Sequence, residues 1–222
     1  MTQNTYQFLD NPTLTENTTR FWLIRHAIVN QKDRNYLYGT MNVSLCHEHI
    51  QQQQAIYRYL AKRLPSTTSW ITSSLSRAKD TANLIQNAGY GHVPLTTNDA
   101  FLEQDLGKWQ GQPHDAVMQH CQYDAHPFWP FYAKERPPQG ENMYDVINRV
   151  GKELESLAQT KTGQDIIIVS HGGTIRAAIA HSLKIPLDSA LSLSILNLSL
   201  TVLEKKQDHW RALTINEYPT TL

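Results

Sequence analysis

Three short stretches carry side chains suited to gripping a compact anion: Arg25-His26 in "LIRHAIV", Arg77 in "SSLSRAKDTA" and His171 in "VSHGGTIRAAI". Burying unpaired cations is costly, so an apolar run that ends on Arg25 and His26 requires an anionic partner. That partner is either a structural carboxylate or a ligand. A carboxylate of the right kind appears at Glu103 in "LEQDLGKWQG", just ahead of a glycine-flanked turn. Two arginines, two histidines and one glutamate at one place make a recess for a multiply charged anion, with a carboxyl at its edge. Glycines 172 and 173, directly after His171, let backbone N–H groups approach such an anion at a helix start.

These residues are far apart in the chain, so the elements between them must fold them together. Phe21 to Ile24 reads as a short buried strand, and Ser69 to Thr72 ("SWIT") as a second. Val93 to Thr96 is a third candidate, and "DIIIVS" before His171 a fourth. Between them, apolar spacing predicts a helix from about His47 to Leu64, with Gln51 to Gln54 on its solvated face and a stop at Pro65. A serine-rich turn opens a helix that carries Arg77, turns Leu84 and Ile85 inward and stops at Gly89. "NMYDVINRVGKELESLAQ" reads as a helix, another runs from near Thr174 to about Leu183, and the tail from Ser192 reads as a hairpin of strands. The alternation predicts a three-layer α/β/α sandwich with a mostly parallel central sheet and an antiparallel edge. In open α/β sheets the ligand crevice lies outside the carboxyl ends of the strands, which is where His26 and His171 both fall.

The rest of the composition limits the possible partners. Of 222 residues, 20 are Lys or Arg and 20 are Asp or Glu, so the net charge is zero and no broad basic field supports nucleic-acid or membrane-surface binding. Cys46 and Cys121 are too few for a disulfide framework. No secretory signal and no stretch approaching the ~20 apolar residues of a membrane span is visible, so a cytoplasmic protein is expected. Residues 1–19 read as a loose N-terminal arm and 20–222 as one domain, with an irregular, cap-like insertion around 104–140.

Five blocks, "LIRHAIV", "SSLSRAKDTA", "LEQDLGKWQG", "PPQGEN" and "VSHGGTIRAAI", resemble in composition and order the histidine phosphatase superfamily, the phosphoglycerate mutase-like fold. The resemblance implies that His26 is the nucleophile that accepts a phosphoryl group. It makes Arg25, Arg77, His171 and the Gly172 region the phosphate pocket, and Glu103 the acid that protonates the leaving oxygen. Physical chemistry agrees. Neutral imidazole is a nucleophile, and paired guanidinium donors match phosphate geometry. Glu103 must hold its proton when substrate is bound, then act as base towards water. The implied activity is that of a metal-independent phosphomonoesterase on a small phosphorylated metabolite, such as a sugar phosphate or ribazole phosphate, with no cofactor. A phosphoglycerate mutase is the alternative, although its extended Arg-His-Tyr block is not found in "WQGQPHDAVMQHC". A non-catalytic phosphate-binding module is the other.

The family usually has glycine after the Arg-His pair and a polar pair next; here stand Ala27, Ile28 and Val29. Ala27 is expected to be tolerated unless its dihedral is left-handed, and Asn30 is the residue that could restore a polar phosphate contact. "CHEH" at 46–49 is read as a solvated helix start and not as a metal site. "HPFWPFYAKERPP" at 126–138 has two readings, a proline-braced packed loop or a lid over the crevice. Asp105 stands two residues from Glu103 and competes for the acid role.

Overall fold

The structure is a computed structural model that describes residue 14, residues 16–66 and residues 69–219. Most of the expected N-terminal arm lies outside the described residues. Its last part does not behave as an arm, since strand β1 (Thr18–Arg25) takes in Thr18 and Thr19, both buried. The chain continues through α1 (Gln31–Arg34), α2 (His47–Gln52), α3 (Gln54–Arg63), β2 (Trp70–Thr72), α4 (Ser76–Ile85) and β3 (Leu95–Thr97). After α5 (His114–Met118) come α6 (Met143–Thr160), β4 (Asp165–Ser170), α7 (Gly172–Leu183), α8 (Leu187–Leu191), β5 (Leu200–Lys206) and β6 (His209–Glu217).

The six strands form one sheet in the order β3-β2-β4-β1-β5-β6. The β3/β2, β2/β4 and β4/β1 pairs are parallel, while β5 and β6 close the far edge antiparallel. Side chains alternate across a strand, and both faces of this sheet are apolar. Phe21, Leu23, Ile166 and Ile168 face a core made with α6 and α7. Trp22, Ile24, Ile167 and Val169 face a second core made with α3 and α4. A third, smaller core of Leu37, Leu106, Trp109, Val117 and Phe131 sits under the irregular segment after β3. The expected three-layer sandwich is therefore present. Truncating any central isoleucine, Ile168 for instance, should cost about 2–5 kcal/mol from lost burial and the cavity left behind.

Three expectations need correction. The helix expected over 47–64 is two helices that break at Gln53 (φ −98°, ψ 16°). Helix α2 buries no residue, so the glutamine run gives tertiary packing no grip with which to hold a continuous helix, whereas α3 buries Ile56, Tyr57, Leu60 and Ala61. Helix α7 starts at Gly172, two residues earlier than expected, with His171 at the N-cap. Helix α8 was not anticipated; it follows Pro186, whose fixed φ suits a helix entry. Gly89 ends the α4 helix as expected, at φ +126°, after a wider turn over Gln86–Tyr90.

Candidate active site

The sheet order explains how distant residues meet. Arg25 pairs with Ser170 in the β1/β4 register and Thr72 with Val169 in the β2/β4 register. The residues that follow, His26, His171 and Ser73, therefore emerge side by side from three adjacent carboxyl ends. The His26 N–H donates to Ser170 O at 2.9 Å, which carries the pairing one residue beyond the strand. The two imidazole centroids are 5.2 Å apart.

Both histidines are almost fully buried. His26 Nδ1 lies 2.7 Å from Ala27 O, and a carbonyl only accepts, so Nδ1 carries the proton and Nε2 keeps its lone pair. Burial holds the His26 pKa well below the usual histidine value, helped by the charges of Arg77 and Arg25 and opposed by the bond to Ala27. Burial likewise lowers His171, with Arg77, His26 and Arg25 adding to it. Arg77 Nε donates to His171 Nδ1 at 3.2 Å, so the His171 proton sits on Nε2, 2.7 Å from Ser73 Oγ. Both rings are neutral near pH 7, and only His26 presents a free lone pair.

Arg77 is completely buried and lies in the first turn of α4. Besides His171 it donates to Met41 O at 2.7 Å and Gly39 O at 2.6 Å, and its guanidinium lies over the Tyr38 ring. Arg25 donates Nη1 to Ile195 O at 2.6 Å, and among the described residues its buried Nε meets no acceptor. A buried guanidinium N–H without a protein partner is free to donate to water or to an anion. Arg176 on α7 adds a third guanidinium that was not anticipated from sequence. It is buried, bonded to Leu193 O and Gly172 O, and its pKa is lowered to about 10 by burial and by Arg25. A side chain at Gly172 would crowd both Arg25 and Arg176.

Glu103 reaches the same crevice from the loop after β3. Its Oε2 accepts from Gly173 N at 3.2 Å and its Oε1 from Gln104 N at 3.0 Å. That loop is held from behind by Arg149 on α6, which donates to Ala100 O, Leu102 O and Glu103 O and pairs with Glu141 at 2.8 Å. Glu141 belongs to the "PPQGEN" block and in turn accepts from Asp105 N. Asp105 instead accepts from Gly107 N and shapes the turn.

Asn30 occupies the N-cap of α1 without a side-chain cap bond, and its N–H goes to Ser44 O. Ile28 and Val29 have a packing explanation: Val29 is buried in the α3/α4 core and bridges Leu45, and Ile28 O accepts from Cys46 N. Ala27 is not among the residues at positive φ, and its N–H donates to Thr81 Oγ1 at 2.9 Å. Asn197 Nδ2 donates to His26 O at 2.7 Å, a support with no local signal in the sequence. In "CHEH", His47 opens α2 and His49 Nδ1 lies 3.1 Å from Cys46 Sγ. No cluster of three metal-ligating side chains occurs among the described residues.

A cavity of about 240 Å³ adjoins the crevice, lined by Arg25 and Glu103 and by side chains of the 34–39 and 129–131 stretches. The 126–138 loop is packed, with Phe131, Ala133 and Glu135 buried, and it also forms part of this cavity wall. A larger hollow of about 800 Å³, near Leu64, Tyr90 and Asp165, lies at the amino end of β4 and away from these groups. No helix among the described residues is long and apolar enough to cross a membrane.

The protein is thus a mostly parallel α/β sandwich with histidines and guanidiniums gathered at the carboxyl edge of its sheet. Residues 21–218 match the family model described as the histidine phosphatase superfamily (branch 1), and the chain belongs to that superfamily. Its relatives include both phosphatases and mutases. It is 29% identical over 177 residues to the glucosyl-3-phosphoglycerate phosphatase of Mycolicibacterium vanbaalenii, covering 77% of this chain and 76% of that protein. It is 25% identical over 177 residues to the 2,3-bisphosphoglycerate-dependent phosphoglycerate mutase of Parvibaculum lavamentivorans, covering 78% of this chain and 84% of that protein. The solved structure of a mycobacterial glucosyl-3-phosphoglycerate phosphatase in complex with VO3 superposes with a TM-score of 0.75 at 27% identity, covering 90% of this chain and 99% of that one.

Proposed function

We propose that the protein is a metal-independent phosphomonoesterase that hydrolyses a small phosphorylated metabolite through a phosphohistidine on His26. One observation carries this reading. The bond from His26 Nδ1 to Ala27 O leaves the Nε2 lone pair free in a crevice walled by Arg25 and Arg77. Arg25, Arg77 and the Gly172 N–H hold the phosphate oxygens, joined by His171 once its Nε2–H turns from Ser73 Oγ to the ligand, with Asn30 as a further contact on the rim. In the first step the His26 Nε2–P bond forms, the bond from phosphorus to the leaving oxygen breaks, and Glu103 gives its proton to that oxygen. In the second step water attacks phosphorus, the N–P bond breaks, and Glu103 takes up the proton from water. The net reaction consumes one water and returns the enzyme unchanged. Guanidiniums already in place supply the charge stabilisation on which phosphoryl transfer depends. A cytoplasmic setting fits the near-neutral composition and the pair of free cysteines.

The test is p-nitrophenyl phosphate with chelator present, wild type against His26→Ala. Nitrophenol release by the wild type alone, with a phosphoryl group on His26 in the quenched enzyme, is the expected result. Equal release by both proteins would refute the role of His26. Exchange between the 2- and 3-positions of phosphoglycerate that outruns phosphate release would convert the assignment to a mutase.

A further inference from the structure

The cavity beside the crevice has four rings in its wall, Tyr36, Tyr38, Trp129 and Phe131, with Leu37 and Leu106 beside them. The polar Arg25, Arg34, Glu103, Gln104 and His114 share the lining. We propose that it receives the alcohol half of the substrate and selects a flat, ring-bearing group, so that the substrates are phosphomonoesters of ring-bearing alcohols and not phosphoglycerate-like acids. This proposal rests on the phosphatase reading given above.

The walls are fixed before anything binds. The Arg176 guanidinium lies 4.4 Å from the centre of the Trp129 ring and is itself tied to Leu193 O and Gly172 O. Arg77 lies over the Tyr38 ring at 5.2 Å, and Phe131 is backed by Trp109 at 5.1 Å between centroids. Aromatic faces recognise flat partners by offset stacking, and walls already in place lose little entropy on binding. The same guanidiniums line the phosphate crevice, so one set of side chains orients both halves of the ester. A space near 240 Å³ suits one small ring system and falls below the range of drug-sized pockets.

The charges point the same way. The carboxylate of a glycerate would lie against Leu37, Leu106 and Phe131, all buried apolar side chains. Of the arginines that line the cavity, Arg25 is engaged by the phosphate in this reading, and Arg34 could answer the carboxylate only from the rim, where it is exposed and where ion pairs are weak.

The test separates recognition from turnover. 2-Naphthyl phosphate, glycerol 3-phosphate and 3-phosphoglycerate are titrated calorimetrically into the His26→Ala protein, and kcat/KM for the same esters is measured with wild type. Tighter binding of the naphthyl ester by about tenfold or more is expected, with the same order in kcat/KM. Tyr36→Ser, at a partly exposed ring, and Trp129→Leu should each narrow that ratio. Equal affinities, a preference for 3-phosphoglycerate, or a ratio that neither variant changes would overturn the proposal. Absence of turnover with the ring preference intact would instead sink only the phosphatase reading.

Discussion

Gly173 lies so close to Glu103 that its N–H donates to Oε2 while a β-carbon at that position would overlap Oε1. The glycine at the second position of α7 thus marks where the carboxylate of a different loop must sit. The overlapping atom is the tip of a flexible side chain, so an alanine would displace the carboxylate and leave the backbone intact. Alanine also favours the helix by up to ~1 kcal/mol. Gly173→Ala should therefore keep or raise Tm while lowering kcat/KM about 100-fold, the usual cost of misplacing a reacting group by an ångström. Circular dichroism melts beside steady-state kinetics check both halves; a parallel loss of Tm would refute the separation.

Glu103→Gln keeps the shape and removes the transferable proton. Hydrolysis of an alkyl phosphate, whose leaving oxygen needs protonation, should fall about 10²–10⁴-fold. p-Nitrophenyl phosphate, with a good leaving group, should suffer much less. Equal losses on both substrates would move the acid role elsewhere.

His26 and His171 are both held neutral by burial, below the value near 6.5 that they regain in the unfolded chain. Between the lowered native values and that point, the unfolded chain binds two protons that the native one does not. Stability is thus fully present above about pH 6.5 and lost as pH falls below it, at a limiting slope of about 2.7 kcal/mol per unit. Urea midpoints of wild type and the His26→Asn, His171→Asn double variant, compared at about pH 7.5 and about pH 5.5, test this. If both proteins lose stability equally, other groups carry the effect.

Arg149 holds three carbonyls of the 100–103 loop and the Glu141 carboxylate, about 75% shielded, from the opposite side of that loop. Arg149→Met strands those acceptors and should cost about 2 kcal/mol of stability. It should also lower kcat more than it raises KM, because it loosens Glu103 without touching the phosphate pocket. Lysine cannot reproduce the forked contacts, so Arg149→Lys should rescue little. Full activity in either variant would show that the loop holds itself.

The fold was legible where chemistry and periodicity coincide. Short apolar runs ending on His26 and His171 predicted strands whose ends meet, and the β2-β4-β1 order brings those ends together. The arrival of Glu103 at the same crevice was readable because its block keeps its place in the order of the five. What stayed hidden is made by single side chains meeting backbone carbonyls across the molecule. Arg149, Arg176 and Asn197 act this way, and such contacts leave no repeat or spacing in the sequence. The break at Gln53 was hidden for a related reason, since helix propensity is high along the glutamine run and the lack of tertiary grip appears only in three dimensions.

Arg77 hangs the 39–41 stretch on the main-chain oxygens of Gly39 and Met41, and every residue type supplies such an oxygen. Gly39 itself is held to glycine by φ +38° and by Gln104 O, which leaves a β-carbon no room, but the Met41 anchor and the exposed Tyr36 of the cavity wall can change without unmooring the guanidinium. Under the proposed phosphatase reading, such a mooring would let the cavity wall vary while the guanidinium stays in place.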